Sequence, residues 1–143
     1  MAFENPSREE IKEILQHAGN IAVVGLSDKP DRTSYMVAQA MQSNGYRIIP
    51  VNPAASGQIL GEQVYASLAD IPEPIDIVNV FRRSEYTPEV AREAVAAGAK
   101  VLWLQQGIIS EEAAQIASQG GLKVVMDRCI KVEDSILLGK SRQ

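Results

Sequence analysis

NIAVVGLSDKPDRTS, residues 20–34, has the pattern of a buried strand that ends at Gly25 and is followed by a polar loop and a helix start. The continuous apolar run 21–24 is typical of a strand covered on both faces. In parallel α/β folds, the backbone N–H groups and helix N-terminus at such a junction bind phosphate. The stretch therefore predicts an α/β fold with an anion-binding loop after its first strand.

Strands and helices alternate along the rest of the chain, without a repeat or a linker. Ser7 and Glu10 have capping-box spacing, which starts a first helix over 7–18. Apolar runs predict four further strands, over 46–51, 75–81, 100–105 and 122–127. Further helices are expected over 35–44, from Thr87-Pro88-Glu89 to Gly98 with Thr87 as the N-cap, from Ser110 to Gly120, and in the tail to Gln143. A short helical turn is expected at 67–70.

This alternation predicts a three-layer, Rossmann-like α/β fold, with a five-stranded parallel sheet and helices on both faces. We expect one domain over 1–143 and the strand order 3-2-1-4-5. Ligands bind such sheets outside the carboxyl ends of the strands. The loops that follow the five strands therefore face one crevice: 25–34, 52–53, 82–84, 106–107 and 127–129.

Composition restricts the classes of function. The chain is 45% hydrophobic and 22% charged, which favours a globular protein over disorder, and its net charge of −4 argues against nucleic-acid binding. It has no apolar run long enough for a membrane span and no signal-peptide pattern. With a single cysteine, a cytoplasmic location is expected.

Five of the 14 basic residues follow predicted strands: Lys29, Arg32, Arg82, Arg83 and Arg128. Cations gathered on one edge of an acidic protein focus field on an anionic ligand. The alternative is that exposed loops are simply rich in charge.

The loop after the first strand carries groups suited to phosphate. Gly25 permits a tight turn, and hydroxyl or cationic side chains follow it at Ser27, Lys29, Arg32, Thr33 and Ser34. An ordinary βα loop with a cap residue would look similar, since the full GxGxxG fingerprint is absent. The second strand ends in Val51-Asn52-Pro53 without the acidic residue that binds an NAD ribose.

Two other loops carry binding groups. Phe81-Arg82-Arg83-Ser84 combines a ring with two guanidinium groups, which suits a ligand with aromatic and anionic parts, although Phe81 serves equally well to close the core. Gln105-Gln106-Gly107 offers amide donors and acceptors. The neighbouring Trp103 is expected in the core.

Catalysis finds little support in the sequence. The single histidine, His17, lies in the first helix, away from the crevice, and one histidine with one cysteine makes no zinc cluster. Cys129 reaches the crevice edge, where Arg128 would favour its thiolate. The alternative role for Cys129 is that of a small buried side chain.

Several motifs together resemble the bacterial CoA-binding domain family. They are Val24-Gly25-Leu26-Ser27-x-x-Pro30-x-Arg32-x-Ser34, Gly45-Tyr46-x-Ile48-x-Pro50-Val51-Asn52-Pro53, Asp76-Ile77-Val78-x-Val80-Phe81-Arg82-Arg83, Trp103-Leu104-Gln105-x-Gly107 and Val125-Met126-Asp127-Arg128-Cys129. These small stand-alone proteins look like the N-terminal CoA-binding domain of the succinyl-CoA synthetase alpha subunit. The resemblance covers nearly the whole chain.

The resemblance implies a site for coenzyme A. It implies phosphate and ribose contacts from Gly25, Ser27, Arg32 and Ser34, with Leu26 and Lys29 in the same loop, and adenosine contacts from Val51, Asn52 and Pro53. Phe81, Arg82 and Arg83 would line the nucleotide site, with Gln106 and Gly107 nearer the pantetheine arm. The synthetase carries a second domain with a phosphorylated histidine, and this chain has neither.

We therefore expect a non-catalytic protein that binds CoA or an acyl-CoA, with no nucleic-acid or membrane partner. One alternative is an NAD(P)-binding oxidoreductase module. Another is a regulatory protein in which CoA tunes the binding of another chain, and a mixed disulfide of CoA with Cys129 is a further possibility.

Overall fold

A computed structural model describes residues 3–139 of the chain. Its five helices alternate with the strands of one sheet: α1 (Arg8–His17), α2 (Thr33–Ser43), α3 (Thr87–Ala96), α4 (Glu111–Gln119) and α5 (Ile130–Leu137). The strands are β1 (Asn20–Val24), β2 (Arg47–Val51), β3 (Gln58–Ile59), β4 (Glu62–Gln63), β5 (Ile77–Val80), β6 (Val101–Leu104) and β7 (Lys123–Val125).

Five of these strands form a parallel sheet in the order β2-β1-β5-β6-β7, and β3 and β4 form a separate hairpin. Alternate residues of each strand face two different cores. On one face, Ala22, Val78 and Leu102 pack with α3 and α4, and on the other face Ile21 and Ile77 pack with α1, α2 and α5. The predicted three-layer, Rossmann-like class with helices on both faces is confirmed.

The neighbour of the third sheet strand differs from the prediction. Counted along the chain, the five sheet strands lie in the order 2-1-3-4-5, because β5 pairs with β1 in the register Ile21↔Ile77. The switch point of the sheet therefore lies between β1 and β5. This is the other common order of doubly wound sheets.

Pro50 gives the physical reason for this order. Its carbonyl faces the outer edge of β2, where it accepts the N–H of Tyr65 at 3.0 Å, so the N–H that proline lacks would face outward as well. A third strand on that side would meet a gap in the ladder, whereas an edge strand tolerates proline. The segment at Tyr65 covers this edge with only an isolated bridge to Val51.

Most helix boundaries follow the sequence signals. Ser7 caps α1, and both hydrogen bonds of the capping box are present. Thr87 is the first residue of α3 rather than its cap, because a 3₁₀ turn over Ser84–Tyr86 leads directly into the helix. The hairpin β3–β4 was not predicted, and the end of the predicted tail helix, 140–143, lies outside the described residues.

Among residues 3–139, each helix is too short or too polar to span a bilayer.

Candidate functional site

Gly25 brings two loops into contact at the switch point. Its φ is +87°, and a Cβ built at this position would lie 2.5 Å from the carbonyl oxygen of Phe81. Its N–H also donates to the carbonyl of Val51 at 2.9 Å. Only glycine fits here, because both the dihedral angle and the neighbouring carbonyl exclude a side chain.

Asn52 fastens the end of β2 to the loop after β1. Its Nδ2 donates to the carbonyl of Leu26 at 2.9 Å, and its Oδ1 accepts the N–H of Ala54 at 2.9 Å. Leu26 is fully buried in the core below the loop. Within the described chain, Asn52 and the Leu26 side chain therefore shape the loop, and neither side chain faces the crevice cavities.

The loop leading into α2 is held by its own hydroxyl groups. Ser34 Oγ accepts the N–H of Ser27 at 3.1 Å, and Ser27 Oγ accepts the N–H of Lys29 at 3.1 Å. Arg32, at the N-cap of α2, makes no side-chain capping bond. The first turn of this eleven-residue helix thus presents N–H groups and a positive dipole end at the crevice.

A cavity of about 500 Å³ lies between the loops that follow β5 and β6. Its lining is mixed in chemistry: Thr33, Phe81, Arg82, Arg83, Gln105, Gln106, Ile108 and Cys129. Phe81 also packs against the core, and its contact with a ligand remains a prediction. Cys129 lies at the N-cap of α5 and is half-buried, facing both the cavity and the core.

A second cavity of about 180 Å³ lies on the β2 side of the same edge. Its lining includes Val24, Val51, Pro53, Tyr86, Glu89 and Glu93. Arg82 lines both cavities, and its guanidinium carbon lies 4.9 Å from the centre of the Tyr86 ring. Arg82 is therefore the residue at which the two cavities meet.

The cations at this edge carry no ion pairs within residues 3–139. The salt bridges within residues 3–139 are formed by cations elsewhere in the fold, namely Arg47, Arg92 and Lys100. Lys29, Arg32, Arg82, Arg83 and Arg128 are thus available to an anion, although Asp28 and Asp31 share the loop with the first two. Arg128 donates to the neighbouring carbonyl of Asp127 at 2.9 Å.

Asp127 and Gln105 organise the loop after β6 through contacts that the sequence did not predict. Asp127, with a φ of +59°, accepts the N–H of Gly107 at 2.7 Å through Oδ1. Gln105 is only 4% exposed, and its Oε1 accepts Asn79 Nδ2 and the N–H of Ile130. A left-handed aspartate and a buried glutamine leave no pattern in a single sequence, so these two structural roles were not predictable, although the sequence motifs include both residues.

The predicted site residues divide into two groups. Those that line the cavities are Val51, Pro53, Phe81, Arg82, Arg83 and Gln106. Those that belong to the surrounding loops without lining either cavity are Gly25, Leu26, Ser27, Lys29, Arg32, Ser34, Asn52 and Gly107. Their roles toward a ligand remain predictions.

A groove of about 450 Å³ lies at the opposite, amino edge of the sheet. His17 lines it together with Asp76 and Lys100, and His17 Nδ1 lies 2.8 Å from the carbonyl of Glu13. The histidine is therefore remote from the crevice, as expected. In the described part of the chain, no cluster of three or more His, Cys, Asp or Glu side chains is placed to hold a metal ion.

The doubly wound sheet has cavities, unpaired cations and an uncapped helix start at its carboxyl edge, which is where α/β folds of this class bind their ligands. The model of the CoA binding domain family matches residues 19–135, and the chain belongs to this family. Prb, the PH1109 protein redesigned for binding, has a crystal structure with a TM-score of 0.92 to this fold. It shares 36% identity with this chain, and the match covers 96% of each.

Two curated relatives differ greatly in length. The uncharacterized protein YneT of Bacillus subtilis (strain 168) is 56% identical over 134 residues, which cover 94% of this chain and 98% of YneT. The alpha subunit of ADP-forming acetate–CoA ligase I from Pyrococcus furiosus is 29% identical over 113 residues, which cover 76% of this chain. The match spans only 24% of that subunit.

Proposed function

We propose that this chain binds coenzyme A or an acyl-CoA at the carboxyl edge of its sheet, as a non-catalytic binding or regulatory protein. The observation that carries the proposal is the pair of cavities that meet at Arg82. CoA is an elongated ligand, with a nucleoside at one end, a thiol-bearing arm at the other, and a pyrophosphate between them. A guanidinium between two cavities matches that order of groups.

The pyrophosphate would lie between Arg82 and the start of α2. Arg32 at the helix N-cap and the unpaired Lys29 supply charge, and the first N–H groups of α2 supply donors. Charge-assisted hydrogen bonds of this kind are stronger than neutral ones. Gly25 would allow the backbone to approach the phosphates closely.

The adenosine end would occupy the smaller cavity. Val51, Pro53 and Tyr86 offer apolar and aromatic contact, and Glu89 and Glu93 offer carboxylates that accept from an exocyclic amine. The same carboxylates repel phosphate, which favours the base over the pyrophosphate in this cavity. The arm would then extend into the larger cavity toward Gln105 and Cys129.

The non-catalytic role is supported by the distance between the chain's histidine and the crevice. His17 lies at the amino edge of the sheet, so it cannot share a ligand with the crevice residues. The purified protein, incubated with acetate, CoA and ATP, is expected to form no acetyl-CoA. Product formation above a protein-free control would overturn this part of the proposal.

The binding test is calorimetric titration of the purified protein with CoA and, in parallel, with NADPH. We expect CoA to bind and NADPH to bind more weakly. Arg32→Ala should weaken CoA binding by about 1.5–3 kcal/mol, the range for a hydrogen bond to a charged group. Lys123→Ala removes a cation at the opposite edge and serves as the matched control. A preference for NADPH, or no CoA binding at millimolar concentration, would contradict the proposal.

A further inference from the structure

Gln105 is a buried side chain that faces the larger cavity. It follows β6 directly, only 4% of its surface is exposed, and it lines the cavity beside Phe81, Ile108 and Cys129. Buried amides normally have partners for both their oxygen and their nitrogen. The partners of its two polar atoms therefore show what the cavity offers to a ligand.

The orientation of the Gln105 amide is determined by its neighbours. Its Oε1 accepts the backbone N–H of Ile130 at 3.3 Å and Nδ2 of Asn79 at 3.2 Å. A backbone N–H can only donate, so the atom that faces Ile130 must be the oxygen. The same contact satisfies an N–H in the first turn of α5, whose N-cap residue Cys129 makes no side-chain cap.

The Nε2 atom of Gln105 is left as a free donor. It has no hydrogen bond to any residue of the described chain, and the oxygen on the other side of the amide is committed to Asn79 and Ile130. Since Gln105 lines the cavity, its N–H groups are what the cavity floor presents. Because Nε2 is not among the fully buried side-chain atoms that lack a partner, it is accessible from the cavity, where water or a ligand can accept a hydrogen bond from it.

The surroundings of this donor favour a neutral acceptor. Phe81, Ile108 and Cys129 form a mostly apolar wall beside Gln105, whereas Arg82 is half-buried and Arg83 is exposed, so both arginines are more exposed than Gln105. An anionic phosphate is better placed at the arginines, because burying it beside a neutral amide costs more. A carbonyl oxygen loses less solvation and accepts one N–H well.

We propose that Gln105 is a specificity-determining residue that donates from Nε2 to the carbonyl oxygen of an acyl thioester, which makes acyl-CoA the preferred form of the ligand. The inference rests on the proposed CoA binding and extends it. With the phosphates at Arg82 and the start of α2, the thioester is the end of the ligand that reaches farthest into the cavity. The most buried donor thus meets the group that distinguishes acyl-CoA from CoA.

The test compares acetyl-CoA with S-ethyl-CoA, a thioether of the same length that lacks the carbonyl oxygen. The wild-type protein should bind acetyl-CoA about three- to tenfold more tightly in calorimetric titrations, the effect of one hydrogen bond. Q105E keeps oxygens for Asn79 and Ile130 but loses the donor, and should reduce that ratio to about 1. Q119E places the same charge on an exposed residue at the end of α4, outside both cavities, and should keep the wild-type ratio.

Three results would overturn the assignment, and each has a distinct meaning. Equal wild-type affinities for the two ligands would contradict the subsite without any variant, so the test does not depend on Q105E folding. A ratio that survives in Q105E, with neither ligand bound more weakly than by Q119E, would exclude Gln105 as a donor to the ligand. A ratio that survives while both ligands lose affinity equally, and by more than in Q119E, would show that Gln105 donates to an amide carbonyl of the arm and not to the thioester. If no CoA compound binds, the proposed function itself fails.

Discussion

Gly25 combines two constraints that are usually met separately. A φ of +87° disfavours any side chain, and the carbonyl oxygen of Phe81 occupies the space that a Cβ would need. Gly98, with a φ of +73°, meets the first constraint alone, because nothing lies within 4 Å of its Cβ position. The two glycines therefore separate the cost of backbone conformation from the cost of close approach.

Gly25→Ala should lower the free energy of unfolding by about 3 kcal/mol or more, the sum of a left-handed alanine and an overpacked contact. Gly98→Ala should cost about 1–2 kcal/mol from conformation alone. Denaturant unfolding of both variants measures the difference. Equal losses of unfolding free energy in the two variants would mean that the loops after β1 and β5 move apart at little cost. The short distance between Gly25 and the Phe81 carbonyl would then not be a constraint.

Single residues show where sequence reasoning works and where it stops. Gly25 and Arg82 were identified because a glycine after a buried strand and an arginine after another have chemical meaning by themselves. Leu26 and Asn52 stand within the matching motifs, yet their side chains hold the loop, which only the contact to the Leu26 carbonyl reveals. The amide of Gln105 is oriented by its hydrogen bonds with Asn79 and Ile130, and no spacing in the sequence predicts these two partners.

At the scale of elements, Asp76 joins the turn after α1 to the start of β5. Its Oδ2 accepts the N–H groups of Gly19 at 2.8 Å and Asn20 at 2.9 Å, and its Oδ1 lies 3.5 Å from Lys100 Nζ. Burial raises the pKa of this carboxyl, but the two N–H groups and the ammonium outweigh burial, so the pKa lies below its ordinary value of 3.8.

Asp76→Asn should lower the free energy of unfolding at pH 7 by about 0.5–1.5 kcal/mol, because the amide still accepts both N–H groups but carries no charge. A folded-state pKa below the unfolded value stabilises the wild type above about pH 4. That stabilisation is lost as the pH falls through the folded-state pKa. The difference between wild type and variant should therefore disappear at low pH.

Urea unfolding of both proteins between about pH 7 and pH 2 measures this difference. Asp31→Asn, in an exposed loop, is the control and should change stability little at any pH. A gap between wild type and Asp76→Asn that stays constant with pH would show that the carboxylate charge is not what stabilises the junction.

Elements with local signals were predicted, and those with tertiary causes were not. The capping box at Ser7 identified α1 because its hydrogen bonds are local. The β3–β4 hairpin turns at Leu60 and Gly61, both with positive φ, and lacks the Asn-Gly or Asp-Gly that announces such a turn. Its support comes from α2, where Gln42 Nε2 donates to the Leu60 carbonyl at 3.0 Å.

At the scale of the whole molecule, alternation of strands and helices was sufficient for the fold class but insufficient for the strand order. Both doubly wound orders bring the loops after the strands to one edge of the sheet. The different position of β5 therefore leaves these loops at the same edge as predicted. Pro50 contained the deciding information, since a proline with its N–H side facing outward marks an edge strand. To draw that inference one must know whether the backbone nitrogen of Pro50 faces the neighbouring strand or the outer edge, which the sequence alone does not provide.

The distribution of charge gives a prediction for the entire protein. The net charge is −4, yet the cations at the carboxyl edge carry no ion pairs within residues 3–139. Arg83→Gln and Lys123→Gln change the net charge equally, but only Arg83 lies at the cavity. If the local electrostatic field at the cavity, rather than the net charge of the protein, attracts CoA, the two variants must differ in their affinity for CoA.

Arg83→Gln should weaken CoA binding by about 1 kcal/mol, or roughly fivefold, at about 0.1 M salt, whereas Lys123→Gln should leave it within twofold. At about 1 M salt the screening length falls from about 10 Å to about 3 Å, so the Arg83→Gln deficit should shrink. Calorimetry at both salt concentrations checks this. Equal losses of CoA affinity in the two variants would mean that the net charge of the protein determines binding, and that the cations at the carboxyl edge contribute no more than cations elsewhere.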